Sequence, residues 1–134
     1  MRNSTQSVQI VQARNSRQVD DIDRACGFYD DVLGALGAKR NADWQTDRFF
    51  AWETIPGTPM LLVIKPHDGK PATAGNGAMV SLLAKSRAEV DAVHARALAR
   101  GGKDEGAVGL RGDSFYAGYF RDLDGNKLAV YFIG

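Results

Sequence analysis

The chain has 134 residues, of which 44% are hydrophobic and 25% are charged, and its formal net charge is +1. These values are typical of one globular domain with its own core, and a net charge this close to zero gives no indication of a nucleic-acid or anionic-membrane partner. No apolar run approaches the roughly 18 residues that span a bilayer, and the single cysteine, Cys26, excludes an internal disulfide. We therefore expect a cytoplasmic protein with no nucleic-acid or membrane partner.

The first elements along the chain are a strand and a helix. Val8-Gln-Ile-Val11 is an apolar run of strand character. From Asp21 to about Leu36, apolar residues recur at i, i+3, i+4 and i+7, which predicts an amphipathic helix. Gly37 follows where a left-handed residue commonly ends a helix.

A second helix repeats this pattern at a fixed distance. It begins with a capping box, Ser86-Arg-Ala-Glu89, in which each side chain accepts a free backbone amide hydrogen, and it ends at Gly101-Gly102. Asp21 and Ser86 are 65 residues apart, and so are Gly37 and Gly102. The chain is therefore interpreted as an internal repeat.

The strands follow the same offset. Adding 65 residues to Arg48–Trp52 gives Asp113–Ala117, a second aromatic strand. Met60–Ile64 corresponds to Lys127–Phe132 with a shift of two or three residues. Each half thus has the order strand, helix and further strands, which predicts an α+β fold of tandem βαβββ modules.

We interpret residues 1–134 as one domain made of two pseudo-repeated modules, about 8–65 and 77–133. The Pro- and Gly-rich segment of about 66–76 is predicted to link them.

The end of the chain predicts a β-hairpin. Two apolar, aromatic-rich runs flank Asp122–Asn126, in which Asp and Asn bond their own backbone and Gly125 accepts a positive φ. Turn formation explains these polar residues without a calcium site. The second strand of the hairpin is predicted over Lys127–Ile133.

Three motifs resemble the vicinal oxygen chelate superfamily, which includes glyoxalases, bleomycin-resistance proteins and extradiol dioxygenases. The hairpin is similar to the family's F-x-D-P-x-G-N-x-(apolar)-E, and Val19–Gly34 resembles its first helix, V-x-D-L-x-R-A-x-x-F-Y-x-x-V-L-G. Lys65–Gly77 resembles a bacterial glyoxalase-like branch. The resemblance implies a curved mixed sheet that encloses a cleft, with the helices outside, and a homodimer.

Family members commonly hold a divalent metal in that cleft through His and Glu side chains. The resemblance places the terminal Glu at Ala129, the second-module His near Met79, and a first-module ligand within Leu61–Ile64. None of these positions carries a nitrogen or oxygen donor, and methionine is a poor ligand for such metals. We therefore predict no metal site and no cofactor, with a divalent metal as the disfavoured alternative.

The first-strand ligand position is harder to place. Family spacing puts it near Arg14, and the 65-residue offset agrees by pairing Asn15 with Val80. The apolar run Val8–Val11 lies several residues earlier, so this segment contains an insertion or the strand is displaced.

Strand alternation identifies candidates for a ligand-binding cleft. It places Tyr131 on the same face as Ala129, and Ser81 on the same face as Met79. Trp52 and Tyr116 are equivalent within one residue and are predicted to add walls, and Glu53 ends an aromatic strand. These residues could equally form core or a subunit interface. The predicted ligand-binding set is Trp52, Glu53, Met79, Ser81, Tyr116, Ala129 and Tyr131.

The leading hypothesis is a metal-free protein of this family that binds a small organic molecule. The alternative is an enzyme, either a lyase similar to lactoylglutathione lyase or a dioxygenase-related protein. Such an enzyme would use metal ligands at other positions, or no metal and a group such as Tyr131, Glu53 or His67. A module that only binds other proteins is a third possibility. No catalytic residue is assigned, and His94 is interpreted as a packed helix residue.

Overall fold

The computed structural model describes residues 8–12, 21–46, 49–54, 60–65 and 77–134. The predicted linker, with His67, and the polar stretch before the first helix lie outside these residues. The elements in chain order are β1 (Val8–Gln12), α1 (Asp21–Gly34), β2 (Lys39–Arg40), a short 3₁₀ helix (Ala42–Trp44), β3 (Phe49–Glu53), β4 (Met60–Ile64), β5 (Val80–Leu83), α2 (Arg87–Ala99), β6 (Lys103–Arg111), β7 (Phe115–Arg121) and β8 (Lys127–Ile133).

The strands form two four-stranded sheets with the same topology. The strand order is β1-β4-β3-β2 in the first sheet and β5-β8-β7-β6 in the second. In each sheet the strand that precedes the helix pairs in parallel with the last strand, and the remaining pairs are antiparallel. The predicted α+β fold of tandem βαβββ modules is confirmed.

The first strand lies at the early apolar run. Val8 pairs with Met60 on β4, just as Val80 pairs with Leu128 on β8. Eight residues separate β1 from α1, whereas three separate β5 from α2. An insertion between strand and helix therefore accounts for the break in the 65-residue offset, and pairing Asn15 with Val80 was wrong.

Local sequence signals define the ends of the helices. The Ser86 hydroxyl accepts a hydrogen bond from the Glu89 amide at 3.1 Å, as the capping box predicts. The Glu89 carboxylate, however, accepts from the amide of Lys85 at 2.8 Å rather than from that of Ser86. Gly37 takes a φ of +78° after α1, so the predicted left-handed residue is confirmed.

The larger of two hydrophobic clusters in the described residues contains side chains of both modules, and Ala51 and Leu62 form the small second one. The helices contact each other, and each also covers one side of a sheet. At their contact the Asp31 carboxylate accepts from Arg100 at 2.8 Å and lies 3.7 Å from Arg96. Cys26 is buried in this core, and burial raises the pKa of its thiol to about 11, which makes it unreactive. The largest fully buried side chains are Trp52, Tyr29, Phe28, Phe120 and Leu128.

The turn of the terminal hairpin also joins the two modules. The buried Asp122 carboxylate accepts from the amides of Asp124 and Asn126, both at 2.9 Å. It also accepts from the Asn126 side chain at 2.8 Å and from the Tyr29 hydroxyl of α1 at 2.6 Å. Gly125 has a φ of +87°, as predicted for this turn. One carboxylate therefore shapes the hairpin and connects it to the first helix.

Across the described segments, no helix combines the length and the apolar character needed to cross a membrane.

Candidate ligand-binding face

The two sides of the second sheet differ in what covers them. Leu128 and Val130 of β8 point to the helices and are fully buried in the core. Lys127, Ala129 and Tyr131 point to the other side because side chains alternate along a strand. We call this other side the helix-free face; it is defined by Ser81 of β5, Phe115, Ala117 and Tyr119 of β7, and Lys127, Ala129 and Tyr131 of β8.

Ala129 lies at the centre of this face. It is in register with Ser81 on one neighbouring strand and with Tyr119 on the other. Its own side chain is only 2% exposed. The small residue therefore forms the floor of the face, and the larger side chains around it provide the accessible surface.

Two aromatic side chains of the face stack on each other, and a third, Tyr119, lies apart from them. Phe115 stacks on Tyr131, with ring centroids 5.5 Å apart and an interplanar angle of 22°. Tyr119 lies two residues from Ala117 along β7 and carries two cations, with Arg111 at 5.3 Å and Lys127 at 5.7 Å from its centroid. Planar apolar surface thus adjoins a positively charged region.

Backbone irregularity places Arg111 on Tyr119. The register between β6 and β7 shifts between Asp104 and Gly106 and again between Gly106 and Gly109. The Arg111 guanidinium fills this irregular region and donates to the carbonyl oxygens of Ala107, Gly109 and Ala117. These bonds hold the cation in place without neutralising its charge.

Four of the predicted residues lie on one side of the second sheet. Ser81, Ala129 and Tyr131 share the helix-free face. Met79 directly precedes β5, and strand alternation places it on the same side, where it is exposed. Glu53 is in the other sheet, and its carboxylate accepts from the Asn41 side chain at 2.6 Å.

Trp52 and Tyr116 each lie on the side of their sheet that a helix covers. Trp52 is buried in the core beside Tyr29, at a centroid distance of 5.8 Å. The Tyr116 hydroxyl donates to Asp91 of α2 at 2.6 Å, and Arg87 of the same helix lies over its ring. Both side chains are held by a helix, so their predicted place in a cleft shared with Ala129 is corrected.

Besides the small Ala117, the sequence prediction missed Phe115, Tyr119 and Lys127 of the face, and also Arg111, which lies on the Tyr119 ring. Phe115, Tyr119 and Lys127 could have been found from the hairpin. A turn at Asp122–Asn126 sets Tyr119 opposite Ala129, and alternation then adds Lys127 and Phe115. No comparable signal exists for Arg111, because its position depends on the irregular pairing of β6.

The side chains at the family's metal positions do not supply the usual donors. Ala129 has no donor atom, Met79 offers a thioether, and β4 is apolar throughout. Within the described part of the chain, no three His, Cys, Asp or Glu side chains are grouped to hold a metal ion. The fourth position, near Arg14, is outside it, and the metal-free expectation stays a prediction.

Trp52 belongs to a charged cluster that predicts a dependence of stability on pH. Burial alone would raise the pKa of Asp30, but hydrogen bonds from Arg40, at 2.9 and 2.7 Å, and from Trp52, at 2.9 Å, lower it overall. The resulting stabilisation is present above the unfolded-state pKa of about 3.9 and is lost as the pH falls through the lower folded-state value. Since the pair is exposed, we expect an effect of about 1 kcal/mol or less.

Urea denaturation of the wild type and Asp30→Asn between pH 6 and pH 2.5 measures this effect. The free energy of unfolding of the wild type should fall more steeply below pH 4 than that of the variant. Asp23→Asn, on an exposed position of the same helix, is the control and should follow the wild type. Parallel curves for wild type and Asp30→Asn would contradict the assignment.

Tandem βαβββ modules, in which a helix packs against the sheet of each module, define a protein of the glyoxalase fold. A sequence model of the Glyoxalase/Bleomycin resistance protein/Dioxygenase superfamily matches residues 9–130, and the chain belongs to this superfamily. None of the curated proteins compared with the chain matches it in sequence.

Solved structures agree with this assignment. A glyoxalase/bleomycin resistance protein from Albidiferax ferrireducens is 30% identical, with a TM-score of 0.79, over 96% of this chain and 98% of that one. A glyoxalase/bleomycin resistance protein/dioxygenase family enzyme from Burkholderia phytofirmans is 17% identical, with a TM-score of 0.73 over 96% and 98% of the two chains. A lactoylglutathione lyase from Agrobacterium tumefaciens is 24% identical, with a TM-score of 0.65 over 97% and 94%. The last two similarities show the fold alone.

Proposed function

We propose that this chain binds a small organic molecule on the helix-free face and does so without the family's metal. The observation that carries the proposal is the stacked pair Phe115 and Tyr131 beside the floor residue Ala129, at the position where the resemblance places a metal ligand. Apolar surface with a few oriented polar groups is typical of small-molecule sites.

The arrangement favours planar ligands. An aromatic ring can extend the stack of Phe115 and Tyr131, because offset stacking adds to the free energy of apolar burial. The Tyr131 hydroxyl offers a hydrogen bond at one end of the face, and the side chains of Met79 and Leu83 add exposed apolar surface at its edge.

Binding of aromatic fragments tests the proposal. Ligand-observed NMR with a fragment set that includes naphthalene-1-methanol should show saturable binding to the wild type. Tyr131→Ala should weaken it about tenfold, which corresponds to the loss of roughly 1.4 kcal/mol of contact. Tyr116→Ala is the matched control, since this tyrosine packs against α2, and it should bind as the wild type does. Equal losses in both variants, or no binding to the wild type, would overturn the proposal.

Metal analysis separates the proposal from the enzymatic alternative. Protein purified without chelator should contain no stoichiometric Ni, Zn, Fe or Mn, and chelator should leave its thermal stability unchanged. A stoichiometric metal whose removal lowers the melting temperature would favour a glyoxalase-like lyase or a dioxygenase-related enzyme.

The homodimer that the resemblance implies stays a prediction, and light scattering during size-exclusion chromatography checks it.

A further inference from the structure

The helix-free face carries an excess of positive charge. Three cationic residues, Arg111, Arg121 and Lys127, lie on or beside it. One of them, Arg121, is paired with the carboxylate of Glu105 at 3.3 Å and also donates to the Gly125 carbonyl. Among the described residues, no carboxylate lies within ion-pair distance of Arg111 or Lys127.

The two unpaired cations are fixed on one ring. The Arg111 guanidinium is bonded to three neutral backbone carbonyls, so its position is set and its charge is retained. The Lys127 ammonium lies on the same Tyr119 ring, 5.7 Å from its centroid. Cation–aromatic contact restricts a lysine side chain without removing its charge. An incoming anion therefore meets charges that are already positioned.

Distances along β8 relate these cations to the aromatic stack. Lys127 and Tyr131 are four positions apart on the same side of the strand, so their Cα atoms are about 13 Å apart. The lysine side chain extends along the face and shortens this distance. A bicyclic aromatic compound with an acidic substituent can span what remains between the ammonium group and the aromatic stack. Its ring would contact Tyr131 and Phe115, and its anionic group would approach Lys127.

We propose that the ligand is an anionic aromatic compound, with its ring on the Phe115–Tyr131 stack and its acidic group at Lys127 and Arg111. This inference rests on the proposed function and adds the sign of the ligand's charge. An anion gains attraction from both cations at a partly water-excluded surface, whereas a cation of the same shape is repelled by them.

A series of three probes with the same ring separates charge from shape. The probes are 1-naphthoate, naphthalene-1-methanol and 1-naphthylmethylammonium, and titration calorimetry at low salt gives their dissociation constants. The wild type should bind 1-naphthoate about three- to tenfold more tightly than the alcohol, and the ammonium compound more weakly than either. In 0.5 M salt the difference between acid and alcohol should shrink, because exposed charges are screened.

Lys127→Met retains the length of the side chain and removes its charge. It should reduce the ratio between the dissociation constants of the alcohol and 1-naphthoate by at least half. Lys39→Met, on exposed β2 of the other sheet, is the matched control and should preserve the preference. Circular dichroism verifies that both variants are folded.

Each outcome decides one of the two proposals. If the alcohol binds but 1-naphthoate binds no better, the charge inference is overturned and the proposed function stands. If 1-naphthylmethylammonium binds best, the face selects cations and the inference is likewise overturned. If none of the three probes binds, the charge inference is overturned, and binding of the wider fragment set then decides whether the proposed function stands.

Discussion

Replacing Asp122 with alanine is expected to lower the free energy of unfolding by about 3–5 kcal/mol. The buried carboxylate accepts two backbone amides of its own turn, the Asn126 side chain and the Tyr29 hydroxyl. Alanine removes every one of these acceptors. It leaves the Tyr29 hydroxyl in a site that is 1% exposed, where an unsatisfied polar group is costly.

Two further variants apportion the loss. Tyr29→Phe removes only the hydrogen bond from this hydroxyl to Asp122 and should cost about 1–2 kcal/mol. Asp113→Ala changes an exposed aspartate in the turn between β6 and β7 and should alter stability by less than about 0.5 kcal/mol. Equilibrium denaturation in urea measures all three, and an Asp122→Ala loss no larger than that of Asp113→Ala would show that the turn does not depend on this carboxylate.

The second sheet shows why much of the fold was predictable. Asp122–Asn126 is a local turn signal, and the predicted strand after it, Lys127–Ile133, has the bounds of β8. The capping residue Ser86 and the glycine at position 37 also act within a few residues of their position. Such features depend on short-range steric and hydrogen-bonding preferences that one sequence contains.

The orientation of Trp52 and Tyr116 was not predictable from the same information. In Phe49-Phe-Ala-Trp52 aromatic residues occur on both sides of the strand, so alternation does not identify the buried face. The face is set by Tyr29 and Asp30, which α1 brings to Trp52 from more than twenty residues away in sequence. A shift of one residue in the alignment of the two modules moves every side chain of a strand to the other face of the sheet. The repeat, which is exact only to within about a residue, therefore could not assign the face of Trp52.

The candidate site was therefore predicted in part. Tyr131, Ser81 and Ala129 share a face because they lie on paired strands whose alternation is regular. The charge of the face was missed, since Arg111 reaches Tyr119 only through the irregular pairing of β6 and β7. Tertiary context, rather than local pattern, places Arg111 beside Lys127 on the Tyr119 ring.

Replacing Trp52 with alanine is expected to cost about 3–5 kcal/mol of stability and to leave ligand affinity unchanged. The side chain is 2% exposed, packs on Tyr29, and donates to Asp30 at 2.9 Å. Its removal leaves a large cavity under β3, on the side of the first sheet that α1 covers. A residue of the ligand site would give the reverse result, with a small loss of stability and a large loss of affinity.

Trp52→Phe keeps this prediction testable if the alanine variant does not fold. It should cost about 1–2 kcal/mol by losing the bond to Asp30 and part of the ring contact. Tyr116→Ala, at the equivalent strand of the second module, should cost less than Trp52→Ala because this ring is only partly buried. Urea denaturation gives the stabilities, and titration of 1-naphthoate gives the affinities. Trp52 packs beneath α1, so its replacement should affect folding and not the helix-free face. If Trp52→Phe instead bound 1-naphthoate more weakly at unchanged stability, Trp52 would belong to the ligand site.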